Sequence, residues 1–362
     1  MNLLMITGDR SLASGLKGAL YSTLEELHTH FDRIDVICPR GSSSRYDMSV
    51  FGNVYIHPSP WPIVAQPLWI MREGARLMRV HRPSVVTVHE YAPFYNGIGA
   101  RMLMRNFSIP YVMEIMHIPG HPRAAGIRER FYRWLTSAYI ARDVRFARAI
   151  RVINTTQTPE FLAAAGVPRN KMVLIPAFYI DLATFKPVPT EKKYDIAFVA
   201  RLTENKGVGI FLDVVEWTGL VGVCVGDGPL LSSARAESKR RGLKIHFPGF
   251  ARDAQEVAQY INESRIMLMS SLNEGGPRVV LEAMACGVPV VATPVGIVAD
   301  VLPPECIEDW NAGDIADKIK NILGDSMLYE RLRAHGIMTA ARFERADAIR
   351  VYAEKLKEIA NG

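Results

Sequence analysis

Short apolar runs alternate with longer segments in which apolar residues recur every three or four positions, and the alternation continues along the whole chain. NLLMIT, RIDVICP, VVTVHE, PYVMEIMH and RAIRVIN have the length and β-branched content of strands, and the first precedes SGLKGALYSTLEELHTHF, a helical pattern. After Lys186 the series starts again with YDIAFVAR, GVCVGDG, KIHFPGF, RIMLMSS and VPVVATP, each followed by a helix or turn. Nearly continuous apolar strands separated by helices predict parallel sheets covered on both faces. Two such series predict two doubly wound α/β domains, residues 1–185 and 186–341, joined through the proline-rich and charged DLATFKPVPTEKKYD. From about Met327 the pattern is helical with no strand after it, and a helix within 342–362 is expected to complete the first domain.

In open sheets of this kind ligands bind beyond the carboxyl ends of the strands. That rule directs attention to SSLNEGGPRVVLEAMACGVPVVAT, residues 270–293, where a loop follows the strand RIMLMSS and leads into a helix. Pro277 suits the first helical turn and Gly287 the position just past its end. Gly275 and Gly276 allow backbone N–H groups close to a ligand, and the helix start favours an anion such as a phosphate. Glu274 lies in the loop. Glu282, in an otherwise apolar run, is costly to bury unless something pairs with it. A phosphate with carboxylates nearby to accept hydrogen bonds from hydroxyls suits a nucleotide sugar, whereas a capped surface helix with solvated glutamates is the plainer alternative. In FVARLTENKGV, Arg201 and Lys206 follow the first strand of the second series. They either neutralise a diphosphate or form a solvated charged turn.

Bulk properties narrow the classes. A chain of 362 residues with 49% hydrophobic and 22% charged residues is globular and too long for one ordinary core. No apolar run approaches the roughly 20 residues of a spanning helix. The start of the chain reads as a buried strand rather than a secretion signal. Cys38, Cys224, Cys286 and Cys306 are scattered and form no CxxC, as in a reduced, cytoplasmic protein. The net charge of +6 suggests an anionic ligand or surface, and no nucleic-acid reader motif accompanies it.

FVARLTENKG, VGDGPLLSSARAES, HFPGF and EGGPRVVLEAMACGVPVVAT, in that order and spacing, resemble the GT-4 family of retaining glycosyltransferases, which has the GT-B fold of two Rossmann-like domains facing a cleft. The SxxSG turn, VHEYAPFYNGIGA and PYVMEIMHIPG agree more loosely. The resemblance covers essentially the whole chain and is most specific between Tyr194 and Val301. It implies that Arg201 and Lys206 bind the donor diphosphate and stabilise the leaving group, that Glu274 lies near the donor sugar, and that Glu282 binds the ribose. It further implies that Gly275, Gly276 and Pro277 meet sugar and phosphate and that Gly15 approaches the phosphates. Gly249 and Phe250 would line the base pocket, and His117 would face sugar and acceptor. The implied reaction moves a hexosyl unit from a UDP- or GDP-linked sugar to a lipid-linked, saccharide or small-molecule hydroxyl acceptor. It would need no cofactor or metal, and the chain lacks an Asp-x-Asp pair. Departures from the usual pattern, GGPR in place of Gly-Phe-Gly and a single glycine at Gly15, bear on the substrate rather than the reaction.

The arginine-rich stretch RAAGIRERFYRWLTSAYIARDVRFARAIR places Phe131, Tyr132, Trp134 and Tyr139 at roughly helical spacing. Its aromatic stripe either packs on the sheet or touches an anionic membrane leaflet. Two rival functions stand beside the transferase, a sugar-nucleotide epimerase of the same shape and a noncatalytic nucleotide-sugar-binding subunit.

Overall fold

The computed structural model describes residues 1–42 and 49–362. Packing divides the chain into two compact units. One comprises Met1–Ile118, Phe131–Ala177 and Ala346–Gly362, the other Pro119–Arg130 and Phe178–Arg345. The division falls at Ala177/Phe178 rather than after residue 185, so all of DLATFKPVPTEKKYD lies in the second unit.

The first unit holds β1 (Asn2–Ile6), β2 (Arg33–Cys38), β3 (Ser49–Val50), β4 (Val54–Pro58), β5 (Val85–His89), β6 (Tyr111–Glu114), β7 (Ala149–Val152) and β8 (Met172–Leu174). They form one sheet in the order β3-β4-β2-β1-β5-β6-β7-β8, parallel except for β3 against β4. The second holds β9 (Tyr194–Val199), β10 (Gly222–Val225), β11 (Ile245–Gly249), β12 (Ser264–Met269) and β13 (Val290–Ala292), an all-parallel sheet ordered β11-β10-β9-β12-β13. Both are doubly wound α/β sheets, as the alternation of strand and helix patterns demands. The strands that periodicity passes over, β3, β4 and β8, lie at or next to a sheet edge, where one-sided burial leaves no continuous apolar run.

Each unit has its own core. Leu4, Ile6, Val86, Val88, Met113 and Ile150 centre the first, and Ile196, Phe198, Val223, Leu268, Val291 and Ile319 the second. The last helix, Arg345–Asn361, is fixed to the first unit by a buried charge. Glu114, at the end of β6, accepts hydrogen bonds from Arg151 (2.8 Å) and from the Tyr352 hydroxyl (2.7 Å), and the Arg151 guanidinium lies 3.9 Å over the Tyr352 ring. A carboxylate this buried is tolerated because its charge and both bonds are met.

Candidate functional site

β9 and β12 are neighbours in the second sheet, so the loops leaving their carboxyl ends run side by side. They are joined by backbone and side-chain bonds. The Leu272 N–H donates to the Asn205 carbonyl at 2.7 Å, and Ser270 Oγ donates to the Gly207 carbonyl at 3.0 Å. Gly207 has φ 72°, and a Cβ there would come within 2.1 Å of the Ser270 carbonyl oxygen, so only glycine permits this approach.

The join brings together two groups that are far apart in sequence. Lys206 Nζ donates to Glu274 Oε1, and Ser271 Oγ donates to the same oxygen at 3.0 Å. Both charged side chains are mostly buried. Beside them is a cavity of about 130 Å³ whose lining includes Ala200, Lys206, Ser271, Glu274, Pro277 and Arg278. Sequence reasoning passed over Ser271, because a serine at a strand end is common without any ligand, and met Arg278 only as part of GGPR, a departure bearing on the substrate.

The helix beyond the cavity runs Arg278–Ala285, with Pro277 as its capping residue one position before the first turn. Gly287, past its end, takes φ 67°. Gly276 also lines the cavity, but a Cβ on it would lie 1.8 Å from the Phe178 ring, so packing alone already requires a glycine there. Gly275 is held from behind by Gly296, whose φ of 58° lets its α-carbon sit against the Gly275 carbonyl.

Glu282, one turn beyond Arg278, is half-buried, and its carboxyl makes no hydrogen bond among the described residues. The partner that its sequence context calls for is therefore not supplied by a hydrogen bond from the protein. Burial pushes its pKa up to about 7, against the pull of the Arg278 charge. Arg201 is exposed two residues past β9, and its guanidinium has no hydrogen-bond or ion-pair partner among the described residues. Gly249 closes β11 with φ 88°, its carbonyl accepting the Gly226 N–H at 2.7 Å, and Phe250 beside it is 80% exposed. Neither lines the 130 Å³ cavity.

Gly15 and His117 belong to the first unit. Gly15, φ 72°, ends a short helical turn and donates its N–H to the Leu12 carbonyl. His117 is half-buried, a few residues past β6. The same unit buries a carboxyl pair that no sequence pattern marked. Glu90 accepts N–H bonds from Tyr91 and Gly97, and a Cβ on Gly97 would lie 2.0 Å from Asp143 and 2.1 Å from Glu90. Both carboxyls are pushed up, first by desolvation, Asp143 to about 6, and Glu90 also by the Asp143 charge.

Two family models match the chain, one described as Glycosyl transferase 4-like domain over residues 14–177 and one as Glycosyl transferases group 1 over residues 181–338. An uncharacterized glycosyltransferase of Methanocaldococcus jannaschii, MJ1178, is 22% identical over 306 residues, 82% of this chain and 83% of that protein. N,N'-diacetylbacillosaminyl-diphospho-undecaprenol alpha-1,3-N-acetylgalactosaminyltransferase of Campylobacter jejuni is 25% identical over 243 residues, 60% of this chain and 62% of that enzyme. The crystal structure of Anabaena HepE in complex with UDP matches with a TM-score of 0.76 at 17% identity, over 99% of this chain and all of the other, a likeness of fold.

Proposed function

As the chain belongs to the group 1 glycosyltransferases, enzymes of the GT-B fold, we propose that it is a retaining, metal-independent transferase moving a hexosyl unit from a UDP- or GDP-linked sugar to a hydroxyl acceptor in glycoconjugate synthesis. The observation that carries this reading is the Lys206–Glu274–Ser271 cluster at the cavity, with the exposed cation Arg201 on the same loop as Lys206. During transfer the bond from the anomeric carbon to the diphosphate breaks, and its electron pair goes to the leaving phosphate oxygen. Cations fixed at that phosphate interact more strongly as its charge grows, which lowers the barrier. Lys206 and Arg201 fill this role. Glu274 orients the sugar beside Lys206, and the half-buried carboxyl of Glu282 accepts the ribose hydroxyls.

The acceptor hydroxyl attacks on the face the diphosphate leaves and passes its proton to the leaving phosphate oxygen, so no carboxylate nucleophile is assigned. Gly15, His117, Gly249, Phe250 and the Gly275–Gly276–Pro277 backbone keep the roles the family resemblance implies.

A lipid-linked acceptor at a cytoplasmic membrane surface is favoured by one helix, Ile127–Asp143. Its inward residues are Thr136, Ile140 and Asp143, while Ile127, Phe131 and Trp134 point outward, 78%, 53% and 61% exposed. They follow one another by about a turn and are flanked by exposed Arg128, Arg130 and Arg142. The acids of that helix are turned away, Asp143 buried and Glu129 bonded to the Ala125 N–H and Asn273. An apolar stripe rimmed by cations complements an anionic leaflet. The acceptor of the Campylobacter relative is, by its name, a diphospho-undecaprenol lipid.

The test is the melting midpoint with millimolar UDP, GDP, ADP and CMP, for the wild type and for Arg201→Ala combined with Lys206→Ala. A ligand at 100 times its Kd stabilises by about 2.7 kcal/mol. A shift with UDP or GDP in the wild type alone is expected, and its absence for every nucleotide would refute the donor site and with it the proposed reaction.

A further inference from the structure

Residues Pro119–Arg130 follow β6 in sequence, yet they pack in the second unit. They are held by the loop immediately before Glu274. Asn273 is 1% exposed, and its Nδ2 donates to the Arg123 carbonyl at 2.8 Å and to Glu129 Oε2 at 2.9 Å. The Arg123 N–H donates to the Leu272 carbonyl at 3.2 Å, and Glu129 Oε2 also accepts the Ala125 N–H at 2.7 Å. The loop is gripped from elsewhere in the unit as well. Trp310 Nε1 (2.9 Å) and Thr293 Oγ1 (2.6 Å) both donate to the Ser271 carbonyl, and the Arg123 guanidinium lies 5.4 Å over the Trp310 ring.

Asn273 Oδ1 makes no hydrogen bond among the described residues, so the two Nδ2 bonds are the only side-chain hydrogen bonds of a buried amide. Both run to Pro119–Arg130. A buried polar group is retained where its bonds are made, and here they tie two segments separated by about 150 positions. The next residue, Glu274, carries the carboxylate that meets Lys206 and Ser271.

We infer that Asn273 is a positioning residue, a latch between Pro119–Arg130 and the loop 271–273 that holds the Glu274 carboxylate in register with Lys206 for transfer. The inference rests on the sugar-donor reading of Glu274. Misplacing a reacting group by about 1 Å can cost about a hundredfold in rate, so the latch acts on turnover more than on binding.

The experiment compares the wild type, Asn273→Asp, Glu129→Gln and the double variant by kcat, donor KM, calorimetric Kd for UDP and GDP, and amide hydrogen exchange. Asn273→Asp removes both donated bonds and sets a second carboxylate against Glu129. We expect kcat to fall about tenfold or more, the nucleotide Kd to stay within about threefold, and amides of 119–130 and 271–274 to exchange faster. In the double variant the amide introduced at 129 donates to the carboxylate introduced at 273, and part of the lost kcat returns. Wild-type kcat and exchange in Asn273→Asp, whatever its Tm, overturn the inference. If that variant does not fold, Glu129→Ala removes one of the two acceptors and carries the same test. A wild type that neither binds nucleotide nor transfers sugar defeats the sugar-donor reading instead. Exchange at 119–130 then decides the latch, and an unchanged rate overturns it.

Discussion

The Lys206 ammonium is already engaged within the protein, since Glu274 accepts its hydrogen bond and both side chains are largely shielded from water. A diphosphate that recruits Lys206 must therefore compete with Glu274. Replacing the carboxylate by an amide of the same shape, Glu274→Gln, removes the competing charge and keeps a hydrogen-bonding oxygen for Ser271. At an effective dielectric of about 20, two unit charges about 4 Å apart attract by roughly 4 kcal/mol, and a hydrogen bond to a charged group contributes roughly 1.5–3 kcal/mol net. Partial exposure and the desolvation already met in the folded state leave only a fraction of that for the ligand to recover. About 0.7–1.4 kcal/mol is a reasonable share, which corresponds to a three- to tenfold lower Kd.

Turnover should move the other way. If Glu274 orients the sugar and its charge favours the cationic transition state, kcat in Glu274→Gln falls by roughly 10²-fold, the scale of losing one preorganised electrostatic group. Calorimetry with UDP and GDP gives the affinity, and initial rates at saturating donor give kcat. Tighter nucleotide binding with slower turnover supports the competition. Weaker binding by tenfold with kcat unchanged would refute it, because the carboxylate would then be a binding group and not a rival for Lys206.

For Glu282→Gln we expect weaker nucleotide binding with little loss of Tm, and the wild type's gain in nucleoside affinity between pH 6 and 8, as the carboxyl with a pKa near 7 ionises, should vanish in calorimetry of the variant. The raised pKa values of Glu90 and Asp143 mean that the folded state holds a proton the unfolded chain releases near pH 4. Stability should therefore decline as pH rises from about 4 through about 6, by on the order of 3 kcal/mol, and urea melts of Asp143→Asn should show a flatter profile. Phe131→Ala with Trp134→Ala removes about 1.5–3 kcal/mol of insertion per ring, so co-sedimentation with phosphatidylglycerol vesicles should drop at least about tenfold while transfer to a soluble acceptor holds. Equal sedimentation by the variant would point the stripe toward a protein partner.

What the sequence made legible was set by local constraints. Strands buried on both faces must be apolar along their whole length, so β1, β5, β9 and β12 stood out, while β3 with two residues and β8 at an edge carried no such pattern. Gly287 was readable because a helix end asks for a left-handed residue there. The chemistry of the site depends instead on partners brought together only by folding. Lys206 and Glu274 lie 68 positions apart and Asn273 and Arg123 150, so no window of sequence holds either pair. Lys206 and Glu274 were each singled out by local pattern and given donor roles by the family resemblance, but their contact was not, and Asn273 with Arg123 was not named at all.

Gly275 and Gly276 show how one signal can carry two causes. A Gly-Gly before a helix suggests backbone opened to a phosphate, and that reading treats both residues alike. The Phe178 ring accounts for Gly276 by itself, because it leaves no room for a Cβ at that position. Substituting Gly276 therefore tests packing as much as binding, and loss of activity there says little about the ligand. Glu282 is the converse case. Its cost of burial was plain from the sequence, and the fold supplies no hydrogen bond to offset it, so the half-buried carboxyl, with its pKa pushed up to about 7, is left on this reading for a ligand hydroxyl to meet. A carboxyl left unsatisfied by the protein is thus a stronger pointer to the bound molecule than a glycine whose absence of side chain the core already explains.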